Sequence, residues 1–125
     1  MNDFELYQFS VAFFSWYRIL AKEEPARVPC GDRSLELALY DAHQARPSRL
    51  HFADGVLGKK CIELQDLFSL GVAAGILAYE SDGMGFGSYR ILISPRAARH
   101  FVTEKDVPDV KPLVEDVLAL LGRNA

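Results

Sequence analysis

The chain has 125 residues, half of them hydrophobic and a quarter charged, and a formal net charge of −3. That is the make-up of one ordinary globular domain, long enough to bury about two-thirds of its unfolded surface. The strong basic excess of a nucleic-acid footprint is absent, although a local basic patch is compatible with this balance.

Asn2-Asp3-Phe4-Glu5 has the form of a capping box, an acceptor at Asn2 and a carboxylate three residues on. It predicts a first helix running to about Lys22, before Pro25 ends it. Leu6, Phe9, Phe13, Trp16 and Leu20 make one apolar stripe, and Tyr7, Val11, Phe14 and Tyr17 make a second. A surface helix buries a single stripe. This one is therefore either the central helix of the domain or shares its second stripe with another chain. Phe13, Trp16 and Tyr17 are the candidate partner contacts on it.

Residues 23–33 read as a loop, with two prolines and a glycine. A second helix is expected from Ser34 to about Ala45, capped by Asp32 or Ser34 and closed by Pro47. Arg46, Arg49 and His51 form a small basic loop, and Leu50 to Phe52 could be a short strand. A third helix follows Gly58, with Ile62, Leu64, Leu67, Phe68 and Gly71 at helical spacing and Gly75 at its end. Ile76 to Tyr79 and the alternating Tyr89, Ile91 and Ile93 read as two strands joined by the glycine-rich turn Asp82 to Gly87. Those glycines lead into a strand, whereas a phosphate cradle opens a helix. Ser94-Pro95 starts a fourth helix to Val102. Residues 103–109 are linker, and Val110 to Leu121 is a last helix stopped by Gly122.

This element order resembles a winged-helix domain, most closely the MarR- and PadR-like regulators. Leu70-Gly71-Val72-Ala73-Ala74-Gly75-Ile76-Leu77 matches their helix running into a glycine-apolar-apolar strand. Ile91-Leu92-Ile93-Ser94-Pro95-Arg96 matches the end of their wing before a helix. The likeness covers residues 34 to about 102, and with the helices on either side the chain reads as an α+β, mostly helical single domain over residues 1–125. It would comprise an aromatic helix (1–22), a winged-helix-like core (34–102) and a C-terminal helix (109–122). It also implies dimerisation through a terminal helix. Two departures weigh against DNA reading. The third helix would offer Glu63, Gln65, Asp66 and Ser69 to solvent, with Lys59 and Lys60 only at its start, and carboxylates repel phosphates. The linker before that helix is also longer than a helix-turn-helix needs.

Chemistry-bearing motifs are scarce. Cys30 and Cys61 sit outside any C-x-x-C, with no histidine at zinc-ligand spacing. They read as free thiols in a reducing compartment, with a single bridge between them as the alternative. His43, His51 and His100 lie on separate elements, and no G-x-S-x-G elbow is present. No metal, cofactor or catalytic residue is expected. Asp3 and Glu5 stand where a secretory leader carries positive charge, and no apolar run reaches membrane-spanning length; the expected location is cytoplasmic.

The functional expectation is a small non-enzymatic regulator or adaptor that binds a protein partner as a homodimer. Its contacts would be the first helix and the hairpin tip, Met84 and Phe86. The alternative is a winged-helix DNA-binding regulator using Lys59, Lys60, Arg90, Arg96 and Arg99. An unrecognised enzyme comes third.

Overall fold

A computed structural model describes residues 1–81, 83, 84 and 87–122. Its elements are α1 (Asp3–Leu20), β1 (Arg27–Pro29), α2 (Ser34–Ala45), β2 (Phe52–Gly55) and β3 (Gly58–Cys61), followed by α3 (Leu64–Ala73), β4 (Leu77–Ser81), β5 (Gly87–Ile91), α4 (Pro95–Glu104) and α5 (Val110–Leu121). The fold is α+β and mostly helical, with long terminal helices and two small antiparallel sheets. One sheet is the hairpin β2-β3. The other has the strand order β1-β5-β4, so the first strand closes on the far side of the glycine-rich hairpin.

The local signals act where the sequence places them. Asn2 Oδ1 accepts the Glu5 N–H at 2.8 Å, and the Glu5 carboxylate accepts the Asn2 N–H at 3.3 Å, completing the capping box. Gly75 takes φ 76°, and the N–H groups of Gly75 and Ile76 return to the carbonyls of Val72 and Gly71. That pattern ends α3 and aims the chain straight into β4. Ser94 Oγ accepts the Ala97 N–H at 3.1 Å to open α4.

α1 is the axis of the domain and packs against α3, α4 and α5. Both of its apolar stripes enter the core from Phe9 onward: Phe9, Val11, Phe13, Phe14 and Tyr17 are buried in one cluster with Leu39, Leu67, Val114 and Leu118, while Tyr7 at the start of the second stripe stays exposed. Its two buried hydroxyls differ. Ser10 Oγ donates to the Leu67 carbonyl at 2.7 Å, while Ser15 Oγ meets no partner among the described residues.

This corrects the expectation that α1 lends a stripe to another chain. Phe13 is 2% exposed and Tyr17 fully covered, its hydroxyl donating to the Arg27 carbonyl at 2.8 Å. Trp16 is half-buried under the Lys111 ammonium, 5.1 Å from its ring centre. With helices on several sides, two stripes are what a central helix requires.

Three other expectations change. The loop over residues 23–33 contains β1, because Val28 has a free ladder position opposite Tyr89. The third helix starts at Leu64, since residues 58–61 pair with 52–55 as a hairpin. Ile62 therefore lies outside the helix, 57% exposed, and packs no helical face.

Candidate functional site

A cleft of about 510 Å³ lies where the three-stranded sheet faces the starts of α2 and α3. Cys30, Asp32, Tyr79 and Tyr89 line one side, and Lys60 and Ile62 the other. Register builds its sheet wall: Val28, Tyr89 and Tyr79 stand opposite one another on β1, β5 and β4, hence on one face. Phe14 stacks on Phe68 at 5.9 Å, Phe68 on Tyr89 at 4.3 Å, and Tyr79 meets Tyr89 edge-on at 5.5 Å. This ladder ties the cleft to the core. At its outer end Tyr79 is 58% exposed and lies over Gly87, where any Cβ would strike its hydroxyl.

The opposite face of the same sheet is charged. Arg27 Nε is 3.0 Å and Arg90 Nε 3.9 Å from the Glu80 carboxylate, so two guanidiniums share one anion. The exposed side of α3 carries Gln65, Asp66, Ser69 and Val72 and no cation. At the β2-β3 turn, Val56 and Leu57 project between Gly55 and Gly58 with almost no cover.

Burial sets the state of the thiols. It pushes Cys61 from 9.0 up to about 12, and it raises Cys30, with Asp32 adding to the effect. Burial likewise raises Tyr89, with smaller contributions from Cys30 and Tyr79. All three stay protonated at neutral pH, which removes a ready thiolate nucleophile. The sign for stability follows from linkage. The unfolded chain releases the Cys61 proton from about pH 9.0 while the folded chain holds it to about 12. Stability is therefore full below 9.0 and declines through that window. Alkaline denaturation midpoints should fall accordingly, and Cys61→Ala should flatten some of the decline. In mildly alkaline buffer iodoacetamide should leave Cys61 of the folded chain unmodified; rapid alkylation there would contradict its burial.

Two of the histidines, His43 and His51, serve local structure. His43 Nδ1 accepts the Ser48 N–H at 2.9 Å and lies 2.8 Å from Ser48 Oγ, which closes the turn after α2. A lone pair already taken by a backbone N–H is not free to activate that hydroxyl. His51 pairs with Glu63. Among the described residues no group of three or more histidine, cysteine or carboxylate side chains could hold a metal, and no helix is long and apolar enough to cross a membrane.

Of the residues expected at a site, Met84 is 79% exposed at the hairpin tip, and Phe86 lies outside the described residues. Lys60 reaches the cleft. Lys59 is engaged by Asp54, Arg90 shares Glu80, and Arg96 and Arg99 stand on the exposed side of α4. The five cations thus sit on β3, β5 and α4 with no shared pocket among the described clefts. Ile62, Tyr79, Val56 and Leu57 are the surface residues that sequence reasoning passed over. No turn-forming pair marks the last two, because Val56 and Leu57 occupy the centre of the turn and the glycines only flank it.

Compared with known proteins, the chain matches no family model, no curated protein and no solved structure.

Proposed function

We infer that this protein is a small non-enzymatic adaptor or regulator of winged-helix type, acting as a homodimer that binds a protein partner through the face running from α3 to the β4-β5 hairpin. The helix order and the strand order β1-β5-β4 support the winged-helix reading. One observation carries the choice of partner. Where a DNA reader presents cations, this face presents Ile62, Tyr79 and Met84 with Gln65, Asp66 and Ser69. Aromatic and methionine side chains favour protein contacts, and carboxylates repel phosphates. For self-association, the exposed Leu37 and Leu120 on the neighbouring helices α2 and α5 offer apolar surface, as Phe4 and Tyr7 do at the start of α1.

The test sets two groups of variants against each other. Ile62→Asp with Met84→Asp should abolish co-purification of a partner and activity in the cell. Lys59→Ala, Lys60→Ala and Arg90→Ala together should leave both intact. Duplex DNA should bind weakly even at low salt. A sequence-specific complex whose affinity falls steeply with salt, with a slope reduced by about one unit per cation removed, would establish the DNA-binding reading instead.

A further inference from the structure

The described arginines are paired with carboxylates except on α4. Arg18, Arg27, Arg33, Arg46, Arg49 and Arg90 each have a carboxylate oxygen within 4.0 Å. Arg96 and Arg99 have none among the described residues. The helix sets where they point. Ala98 is fully covered, Phe101 and Val102 are half-buried, and the main contact of α4 is with α1. Arg96, Arg99, His100 and Thr103, at i, i+3, i+4 and i+7, therefore share the outer stripe, and all four are exposed. The Thr103 hydroxyl donates to the Arg99 carbonyl at 2.8 Å, so the stripe presents two guanidiniums and an imidazole.

This arrangement is unfavourable in the chain alone, for two reasons. The guanidiniums lie one turn apart, where like charges repel. Arg96 also stands in the first turn, where the helix dipole favours a negative side chain. α1 places Asp3 and Glu5 in that turn, α2 places Glu36 and α3 places Asp66. α5 begins with Lys111, but that ammonium lies over the Trp16 ring. On α4 no described side chain offsets either effect, and carboxylates brought from outside would offset both.

We propose that the outer stripe of α4 binds a short acidic segment of a partner protein, one with two carboxylates about a helical turn apart. A guanidinium meets a carboxylate through two parallel hydrogen bonds. The stripe offers two such forks, about 4.5 Å apart along the helix. A nucleic acid matches it less well. A duplex carries about one charge per 1.7 Å of its length, so it would run past the stripe onto Glu104 and Asp106, both exposed just beyond it. A lipid surface requires large apolar side chains beside the cations, and none is exposed between Arg96 and Glu104. The inference rests on the protein-partner reading and adds to it a second contact of stated charge.

The test uses full-length protein and an acetylated, alanine-rich peptide with glutamates at i and i+4, read by NMR of the arginine Nε–H groups. At low salt the peptide should shift Arg96 and Arg99 and leave Arg18 and Arg46, whose carboxylates lie within the chain. Its glutamine counterpart should shift none of them. Arg96→Gln with Arg99→Gln, both at exposed positions, should weaken binding about tenfold or more while leaving the circular dichroism native. Lys22→Gln, which removes an exposed cation outside α4, should change it less than about twofold. Uniform shifts of all the arginines, equal binding of the glutamine peptide, or unchanged binding by the double variant would overturn the proposal. So would tighter binding of a short DNA duplex or of phosphatidylserine vesicles at these two arginines, since the anion would then be a phosphate. A co-purifying partner held equally well by the double variant would remove α4 from the contact and leave the adaptor reading standing. That reading is decided separately, by Ile62→Asp with Met84→Asp.

Discussion

Phe13→Asp should unfold the chain rather than separate a pair of folded copies. Phe13 is 2% exposed and meets Phe14 edge-on at 5.3 Å, with Phe9 stacked 6.5 Å away. Loss of a buried phenyl ring alone costs about 3–5 kcal/mol through transfer and cavity terms. A carboxylate in its place must be desolvated or protonated, which adds to the cost. A domain of this size has about 5–15 kcal/mol of stability in total. Far-UV circular dichroism and denaturant titration should therefore show a largely unfolded variant. Trp16→Asp should be milder, since Trp16 is only half-buried and keeps one face under Lys111. A Phe13→Asp protein with native dichroism, sedimenting as a smaller species than wild type, would overturn the core role and restore α1 as an interface.

Gly71→Ala should also destabilise, against the trend for helices. At an exposed helix position alanine would gain about 1 kcal/mol over glycine. Here the new methyl would sit 2.5 Å from Leu77 Cδ1 and 2.9 Å from its Cγ, with Phe14 Cδ2 at 3.4 Å. Leu77 is itself buried, so it cannot swing aside, and overpacking of this kind costs about 1–3 kcal/mol. The net loss should reach up to about 2 kcal/mol in a urea titration, without change in the transition's cooperativity. Leu77→Ala in the same chain should recover some of it, giving a favourable coupling in a double-mutant cycle. Wild-type stability in Gly71→Ala would mean that α3 and β4 do not approach as closely as those distances require.

Local signals in the sequence correspond to contacts between near neighbours. Asn2 with Glu5, Ser94 with Ala97 and the Gly75 turn each depend on residues a few positions apart, so their type and spacing determine the outcome. The apolar periodicity of α1, α2 and α5 marks their buried faces for the same reason. β1 carries almost no pattern of its own and forms because β5, far along the chain, presents an open ladder. The β2-β3 hairpin turns at Val-Leu, residues with no turn preference, between two glycines. It takes Ile62 out of the helix that its spacing fitted and leaves it exposed.

The site follows the same division. Composition and the residue types of α3 are enough to disfavour a phosphate-reading surface, because charge is carried by residues regardless of their partners. Which aromatic residues are core and which are surface could not be read that way. Phe13 and Tyr17 have the same character as Tyr79, yet the first two are enclosed in the core while the third stands more than half exposed on an outer strand of the sheet. The sequence by itself therefore determined the course of α1, α2, α4 and α5 to within a few residues, the caps at Asn2 and Ser94, and the lack of cations along α3. Tertiary structure alone decided that α1 is the core and that Ile62 and Tyr79 flank a cleft. Burial and edge pairing are properties of what lies alongside a residue, and those neighbours are distant in the chain.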